Sequence, residues 1–252
     1  MIIIKNSEDI AMMKIAGRIT AEALKVAEEL IRPGISTKEI DTKINRYIVK
    51  CGAKPSFLGY GGFPGSACIS INDEVIHGIP SSKVILKEGD IVKVDVGARC
   101  RGYNGDSART FAVGRVSDEA LKLISVTEKS FFEAMKVAKP GYRVGDIGKA
   151  VEDFVISNGF TVVRDYVGHG VGKELHEDPS IPNYGSALKG PRLYAGMTLA
   201  IEPMVNVGKY NVRVGRDGWT VYTSDGSLSA HYENSVLITD GDPLILTDVN
   251  VD

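Results

Sequence analysis

The strongest constraint on this chain is that it contains itself twice. Setting Pro33-Gly34 over Pro140-Gly141 gives an offset of 107 residues (140 less 33), and the offset holds well beyond that pair. Leu24 falls on Phe131, Ala27 on Ala134, Leu30 on Val137, Ile40 on Ile147, Tyr47 on Phe154, Ile48 on Val155 and Gly52 on Gly159. Each copy reads as helix, Pro-Gly break, helix and Gly stop. Ile19, Ala23, Val26, Ala27 and Leu30 carry the 3.6-residue rhythm of the first helix, which the proline cannot continue. The second helix starts near Ser36 or Thr37, with Glu39 where a capping box places its acid. Its counterpart runs from about Val144 to Ser157. Further on, the segment from Gly89 to Asp95 falls on that from Gly196 to Glu202. In both, a turn leads into a mostly apolar strand that ends on a carboxylate. One offset kept across two helices and a strand is better explained by internal duplication than by chance.

Two halves so related predict an approximate two-fold axis, with the equivalent acids Asp95 and Glu202 facing each other near it. Further strands are expected at 162–167, 220–223, 231–238 and 244–247. Helices and antiparallel strands come in blocks rather than in strict βαβ alternation, which favours an α+β fold over a doubly wound sheet. A chain of 252 residues lies at the upper end of what one core supports. The expectation is a single domain over residues 1–252, with an internal pseudo-repeat of roughly 10–115 and 117–245. A net charge of −2 argues against a nucleic-acid substrate or a polybasic membrane role. Cys51, Cys68 and Cys100 are odd in number and lack paired spacing, so a reducing cytoplasm is expected rather than a disulfide framework. The run Ile2-Ile3-Ile4 is too short for a signal-peptide core, and no stretch of 18 apolar residues occurs.

The chemistry-bearing residues are acids and histidines. A tight hairpin turned at Cys100-Arg101 would set Asp95 directly opposite Asp106, with Cβ atoms about 5 Å apart. Two such charges repel by roughly 3 kcal/mol at an effective dielectric near 20. Two unrelated surface acids are the ordinary alternative. Asp95, however, ends the mostly apolar strand Ile91-Val92-Lys93-Val94, and a buried acid there needs a counter-charge, most simply a metal. His169 stands in Gly168-His169-Gly170-Val171-Gly172, where flanking glycines let the backbone approach a ligand. A satisfied core histidine is the competing reading. His176 follows seven residues on, and His77 and His231 complete the four histidines. Glu202, before Pro203, and Glu233, beside Tyr232, both lie among apolar neighbours where an unpaired carboxylate is costly. Four carboxylates and a neutral imidazole carry −4, which two divalent ions cancel. Oxygen and nitrogen donors without thiolate suit Mn, Fe, Co or Zn in a bridged pair, not a structural cysteine-type zinc site. Ions about 3.5–4 Å apart share a hydroxide whose pKa falls from near 16 towards 7, a nucleophile that needs no serine or cysteine.

With these segments in order, the chain resembles the methionine aminopeptidases of the short bacterial type I form. They belong to the pita-bread (creatinase/aminopeptidase) superfamily, which also holds prolidases. The resemblance covers essentially the whole chain. It rests on Cys68-Ile69-Ser70-Ile71-Asn72, His77-Gly78-Ile79-Pro80, the Asp95/Asp106 pair, the His169 segment, Leu175-His176-Glu177, Ile201-Glu202-Pro203-Met204 and Tyr232-Glu233. It implies a pita-bread fold with pseudo-two-fold halves around a curved antiparallel sheet. It also implies Asp95, Asp106, His169, Glu202 and Glu233 as ligands of two divalent ions. His77 and His176 would face the scissile amide, and Glu202 would double as proton acceptor and donor. The methionine pocket maps onto Tyr60, Phe63, Cys68, Leu175 and Trp219, although plain core packing is the alternative for Phe63, Leu175 and Trp219. A monovalent-cation loop maps near Asn72, Glu74 and Ser229. Three positions depart from the family pattern. Asn234-Ser235 stands where His-Thr is usual, Gly61 where a larger polar residue is common, and Phe57 at a pocket edge often held by something smaller.

The expected function is removal of initiator methionine from nascent chains when the second residue is small, by attack of a metal-bound hydroxide on the first carbonyl. The enzyme is expected to be a cytoplasmic monomer and a minimal catalytic unit, with nascent-chain substrates leaving room for ribosome association. Two alternatives remain at this point: an X-Pro peptidase on the same fold, and a non-catalytic binding module.

Overall fold

In the computed structural model, which describes residues 1–251, local signals set the helix ends. Helix α1 (Ser7–Leu30) opens on Asn6, whose side chain accepts from the Glu8 and Asp9 N–H groups while Asp9 accepts from the Asn6 N–H. It stops at Leu30, ahead of Pro33. Helix α2 (Thr37–Lys50) has the expected box: Ser36 Oγ accepts from the Glu39 N–H at 3.2 Å, and Glu39 Oε2 accepts from the Ser36 N–H at 3.0 Å. Helices α3 (Asp118–Met135) and α4 (Val144–Ser157) complete the set. Both ends of α4 lie 107 residues after those of α2 (144 less 37, 157 less 50).

The sheet that carries the acids has nine strands. Its path runs Lys54–Pro55, Ile91–Cys100, Tyr103–Ala112, Glu233–Leu237, Thr198–Ile201, Gly168–Gly170 and Glu177–Ile181, with every neighbour antiparallel. Ala67–Ile71 joins on Ile91–Cys100, and Leu244–Ile245 on Glu233–Leu237. Two three-stranded sheets flank it. This is an α+β fold. One apolar core fills the space between α1, α2 and the Ile91–Cys100 strand through Ala16, Leu24, Ile40, Ile44, Val92 and Val94. A second lies between α3, α4 and Thr198–Ile201 through Leu123, Phe131, Ile147, Val151, Leu199 and Ile201. Each helix pair thus covers an apolar strand face, and the acid-bearing strands run between the cores. Helix α1 approaches the sheet closely at Gly17 and Gly105, where a Cβ on Gly105 would come within 2.7 Å of the Gly17 Cα. Gly105 immediately precedes Asp106, so this contact fixes the height of that carboxylate.

Three strand expectations need correction. The hairpin turns at Arg101-Gly102, with Cys100 opposite Tyr103, so Asp95 faces Ala108 and Asp106 faces Gly97. Arg101 and Gly102 both have positive φ, which a two-residue hairpin of this twist requires. The register is displaced by two residues, an even number, and both acids keep the same face of the sheet as diagonal rather than direct neighbours. Residues 231–238 do not form one strand. Ser229–His231 pairs with Met204–Asn206 in a small sheet, and Glu233–Leu237 joins the main one. The partner chain breaks at the same level, because Glu202-Pro203 separates Thr198–Ile201 from Met204–Asn206. The Tyr232 N–H donates to the Pro203 carbonyl at 3.2 Å across this double break. Of 162–167, only Val162 is strand, as the end of Thr161–Val162, and the chain bends through Arg164, Asp165 and Tyr166.

Candidate active site

The double break delivers two glutamates into one place. Glu233 starts its strand opposite Ala108, the residue that also faces Asp95, and Glu202 follows directly on Thr198–Ile201. His169 lies opposite Ala200 on the adjoining strand. Five residues distant in sequence therefore converge on one floor. Asp106, Glu202 and Glu233 are almost wholly buried, and Asp95 and His169 are partly so.

Hydrogen bonds fix the backbone of this floor without satisfying its carboxylates. Ser235 Oγ lies 3.0 Å from both the Asp106 N and O, and the Glu233 carbonyl accepts from Ser107 Oγ at 2.7 Å and Arg109 Nη1 at 2.6 Å. Asp95 Oδ1, Asp106 Oδ1 and Glu233 Oε1 are buried with no hydrogen-bond partner. Among the described residues, no lysine or arginine forms an ion pair with any of the four acids. Burial consequently drives the carboxyls upward: Asp95 to about 7, Glu202 to about 8, and Asp106 and Glu233 well above the carboxylate range, with mutual repulsion adding to the last two.

His169 shows what belongs between them. Its Nδ1 is 2.8 Å from the Gly170 carbonyl, which can only accept, so Nδ1 carries the proton and Nε2 presents a lone pair. That lone pair faces Asp106 Oδ2 at 3.7 Å and Glu202 Oε1 at 3.5 Å. A lone pair aimed at two ionised carboxylates repels them unless a cation, or a proton on a carboxyl, stands between. Burial and the neighbouring His176 hold His169 down to about 3, so protonation of the ring does not supply that charge at neutral pH. Donor atoms of Asp106, His169 and Glu233 lie within 4.8 Å of one another, as do those of Asp95, His231 and Glu233. The glycines beside His169 serve packing rather than ligand approach. A Cβ on Gly168 would meet the Ala200 carbonyl at 2.3 Å, and one on Gly170 the Asp178 carbonyl at 2.2 Å.

Above the floor opens a cleft of about 200 Å³. Asp95, Asp106, His169, Glu202 and Glu233 line its floor, and Tyr60, Phe63, Cys68, Leu175, Trp219, His77 and His176 its walls, with Cys68 the strand partner of Asp95. Phe63 and Trp219 meet edge to face at 5.2 Å, and Phe57, Phe63, Cys68 and Leu175 form a buried apolar cluster. The Tyr60 hydroxyl lies 2.8 Å from His176 Nδ1, and the His176 ring lies 4.2 Å from that of His169. His77 is held at φ +59° with its ring edge-on to Tyr166, and burial lowers it to about 4.

A family model, metallopeptidase family M24, matches residues 11–240. The chain belongs to metallopeptidase family M24. A methionine aminopeptidase of Clostridium acetobutylicum is 56% identical over 247 residues, spanning 98% of this chain and 99% of its own. The crystal structure of a methionine aminopeptidase from Thermotoga maritima superposes with TM-score 0.97 at 48% identity, covering 98% of this chain and all of that one. A prolidase from Pyrococcus furiosus superposes less closely, at TM-score 0.77 and 28% identity, and this chain covers 65% of its length. The M24 chain therefore has the pita-bread fold of these relatives, and membership in this family implies divalent metal ions. The floor fits them: unpaired buried carboxylate oxygens and an imidazole lone pair, all hard or borderline donors, surround one small volume.

Other expectations for this M24 chain change. In the loop near Asn72, Glu74 and Ser229, where the resemblance maps a monovalent cation, the Asn72 carbonyl accepts from Lys93 Nζ at 2.8 Å and the Ser229 N–H at 3.1 Å. The Lys93 ammonium is buried there, under the charges of Glu74, Asp73 and Asp90. Asn234 points away from the acids, as strand alternation after Glu233 requires, and its Oδ1 accepts from Arg109 Nη2 at 2.7 Å and Thr247 Oγ1 at 2.9 Å. Gly61 adopts φ +56° against the Trp219 ring, a conformation that favours glycine. Two residues at the site escaped the sequence reading. Tyr166 lies on the cleft wall, and no local pattern marks it. His231 is buried beside the acids; its signal was its position two residues before Glu233, the same-face spacing of a strand.

Proposed function

We propose that the protein is a metal-dependent aminopeptidase that removes the initiator methionine from nascent polypeptides whose second residue is small. The observation that carries this reading is the single cleft that joins an acid-and-imidazole floor to an apolar, aromatic-lined slot. The methionine aminopeptidases similar to the chain along its whole length support the choice of substrate. Asp95, Asp106, His169, Glu202 and Glu233 are assigned as ligands of two divalent ions of the Mn, Fe, Co or Zn class. When bound, such a pair polarises a carbonyl and brings the pKa of a shared water towards neutrality.

The chain's own side chains do the rest. Glu202 takes a proton and returns it to the leaving amine. His176, with Nδ1 engaged by Tyr60, keeps Nε2 for the carbonyl oxygen as negative charge develops there. His77, kept neutral by burial, hydrogen-bonds the scissile amide. Tyr60, Phe63, Cys68, Leu175 and Trp219 hold the unbranched thioether. Burial and nearby Asp95 push the Cys68 thiol up, so it acts as wall rather than nucleophile. The same reading makes the protein a one-domain monomer of the cytoplasm that meets chains leaving the ribosome. Three unpaired cysteines and a main sheet shared by both halves support it.

The test is a comparison of Met-Ala-Ser, formyl-Met-Ala-Ser and Ala-Pro peptides on metal-loaded protein. Cleavage of the first alone is expected. Efficient turnover of the formylated peptide would contradict the requirement for a free amine, and preference for Ala-Pro would make the protein an X-Pro peptidase.

A further inference from the structure

We propose that His231 is a sixth metal ligand, the nitrogen donor to the ion held by Asp95 and Glu233. The inference rests on the two-ion reading above and extends it to a residue outside the expected ligand set.

His231 ends the Ser229–His231 strand opposite Met204, and its side chain is 1% exposed. It does not line the cleft and lies behind the floor. Both ring nitrogens are buried without a hydrogen-bond partner. A core histidine ordinarily donates one nitrogen and satisfies the other, because an unpaired buried polar atom is costly. Here Nε2 stands 3.6 Å from Glu202 Oε2 and 3.9 Å from Glu233 Oε2. These separations are too long for hydrogen bonds. The Glu202 separation falls at the spacing of two donors sharing one ion, about 3.3–3.6 Å for ligands 2.0–2.2 Å from a tetrahedral metal, and the Glu233 separation is slightly longer.

The arrangement mirrors the other side of the floor. Glu202 lies between two imidazoles, with Oε1 3.5 Å from His169 Nε2 and Oε2 3.6 Å from His231 Nε2. Glu233 belongs to both donor groups, with Asp106 and His169 in one and Asp95 and His231 in the other. Each group would thereby offer an ion one imidazole and one aspartate, with Glu233 common to both groups and Glu202 between the two imidazoles. A second nitrogen donor moves the pair away from oxygen-loving Mg and Mn and towards Zn, Co and Fe, which imidazole suits.

X-ray absorption of the wild-type protein loaded with two equivalents of Co(II) counts imidazoles directly. One per ion on average is expected, and one per two ions would overturn the proposal. His231→Gln and His231→Ala follow by calorimetric Co(II) titration. Both are expected to weaken one of the two binding steps by at least about tenfold and to leave the other unchanged. A glutamine variant that binds both ions as tightly as wild type would reduce His231 to a hydrogen-bonding neighbour and refute its ligation. Wild-type protein that takes up no Co(II) would instead bring down the two-ion reading itself.

Discussion

The wall and the floor of the cleft are built on opposite principles. In the apolar wall, Phe57, Phe63, Cys68 and Leu175 bury one another, and the packing that shapes the slot also stabilises the fold. At the floor, Asp95, Asp106, Glu202 and Glu233 crowd together with unpaired oxygens and raised pKa values, and the packing that shapes the site works against the fold. Substitution should therefore separate the two: truncation of the wall harms stability first, whereas truncation of the floor harms function and relieves the metal-free protein.

The largest effect is expected from Asp106→Ala. Peptidase activity should fall at least about a thousandfold with loss of bound metal. The metal-free variant should melt no lower than metal-free wild type, since an unpaired buried acid has gone. A clear drop in its melting temperature would show that Asp106 is held by contacts within the chain, and the contrast would collapse. Phe63→Ala should behave in the opposite way. It should cost about 3–5 kcal/mol of stability, read by denaturant titration, and raise KM for methionyl peptides at unchanged metal content. His176→Ala lies between, with kcat lowered about a hundredfold while both ions stay bound. Loss of either ion on metal analysis would move His176 into the ligand set.

The smallest effect concerns pH. The carboxyls of the floor have folded-state values above their unfolded ones, so the metal-free folded chain retains protons that the unfolded chain releases. Their contribution to stability is present at low pH and lost as pH rises towards about 7 for Asp95 and about 8 for Glu202. His77, His169 and His231 are lowered and act in the opposite direction, but only up to their unfolded value near 6.5. Between pH 6.5 and 8 the acids alone remain in play at the floor. The gain in Tm on adding metal should therefore grow by a few degrees across that window. Lys93, also lowered, contributes equally with and without metal and drops out of the difference. A gain that is flat or shrinks with pH would contradict the shifts.

Much of this could be read without coordinates because the signals were local or repeated. Helix α2 began where Ser36 and Glu39 said it would, and α4 sat at the repeat offset. The five residues of the floor were legible because each places a charge or a ligating nitrogen in an apolar or glycine-rich run. What failed depended on partners distant in sequence. Counting residues around Cys100 could not show that positive φ at Arg101 and Gly102 moves the turn by one residue. Nor could the run from His231 to Ile238 show that its hydrogen bonds change sheets at Tyr232. The Lys93 ammonium could not be foreseen on the Asn72 carbonyl, since nothing local distinguishes a lysine that leaves a strand for solvent from one that stays inside.

Binding of divalent metal to chelator-treated protein, followed by calorimetry at pH 7.5 in two buffers of different ionisation enthalpy, tests the account most directly. Two equivalents should bind, protons should be released as the floor's carboxyls ionise, and the loaded protein should melt well above the metal-free form. Metal-free protein that takes up no ion, releases no proton and melts unchanged would mean that the four acids tolerate one another for some other reason.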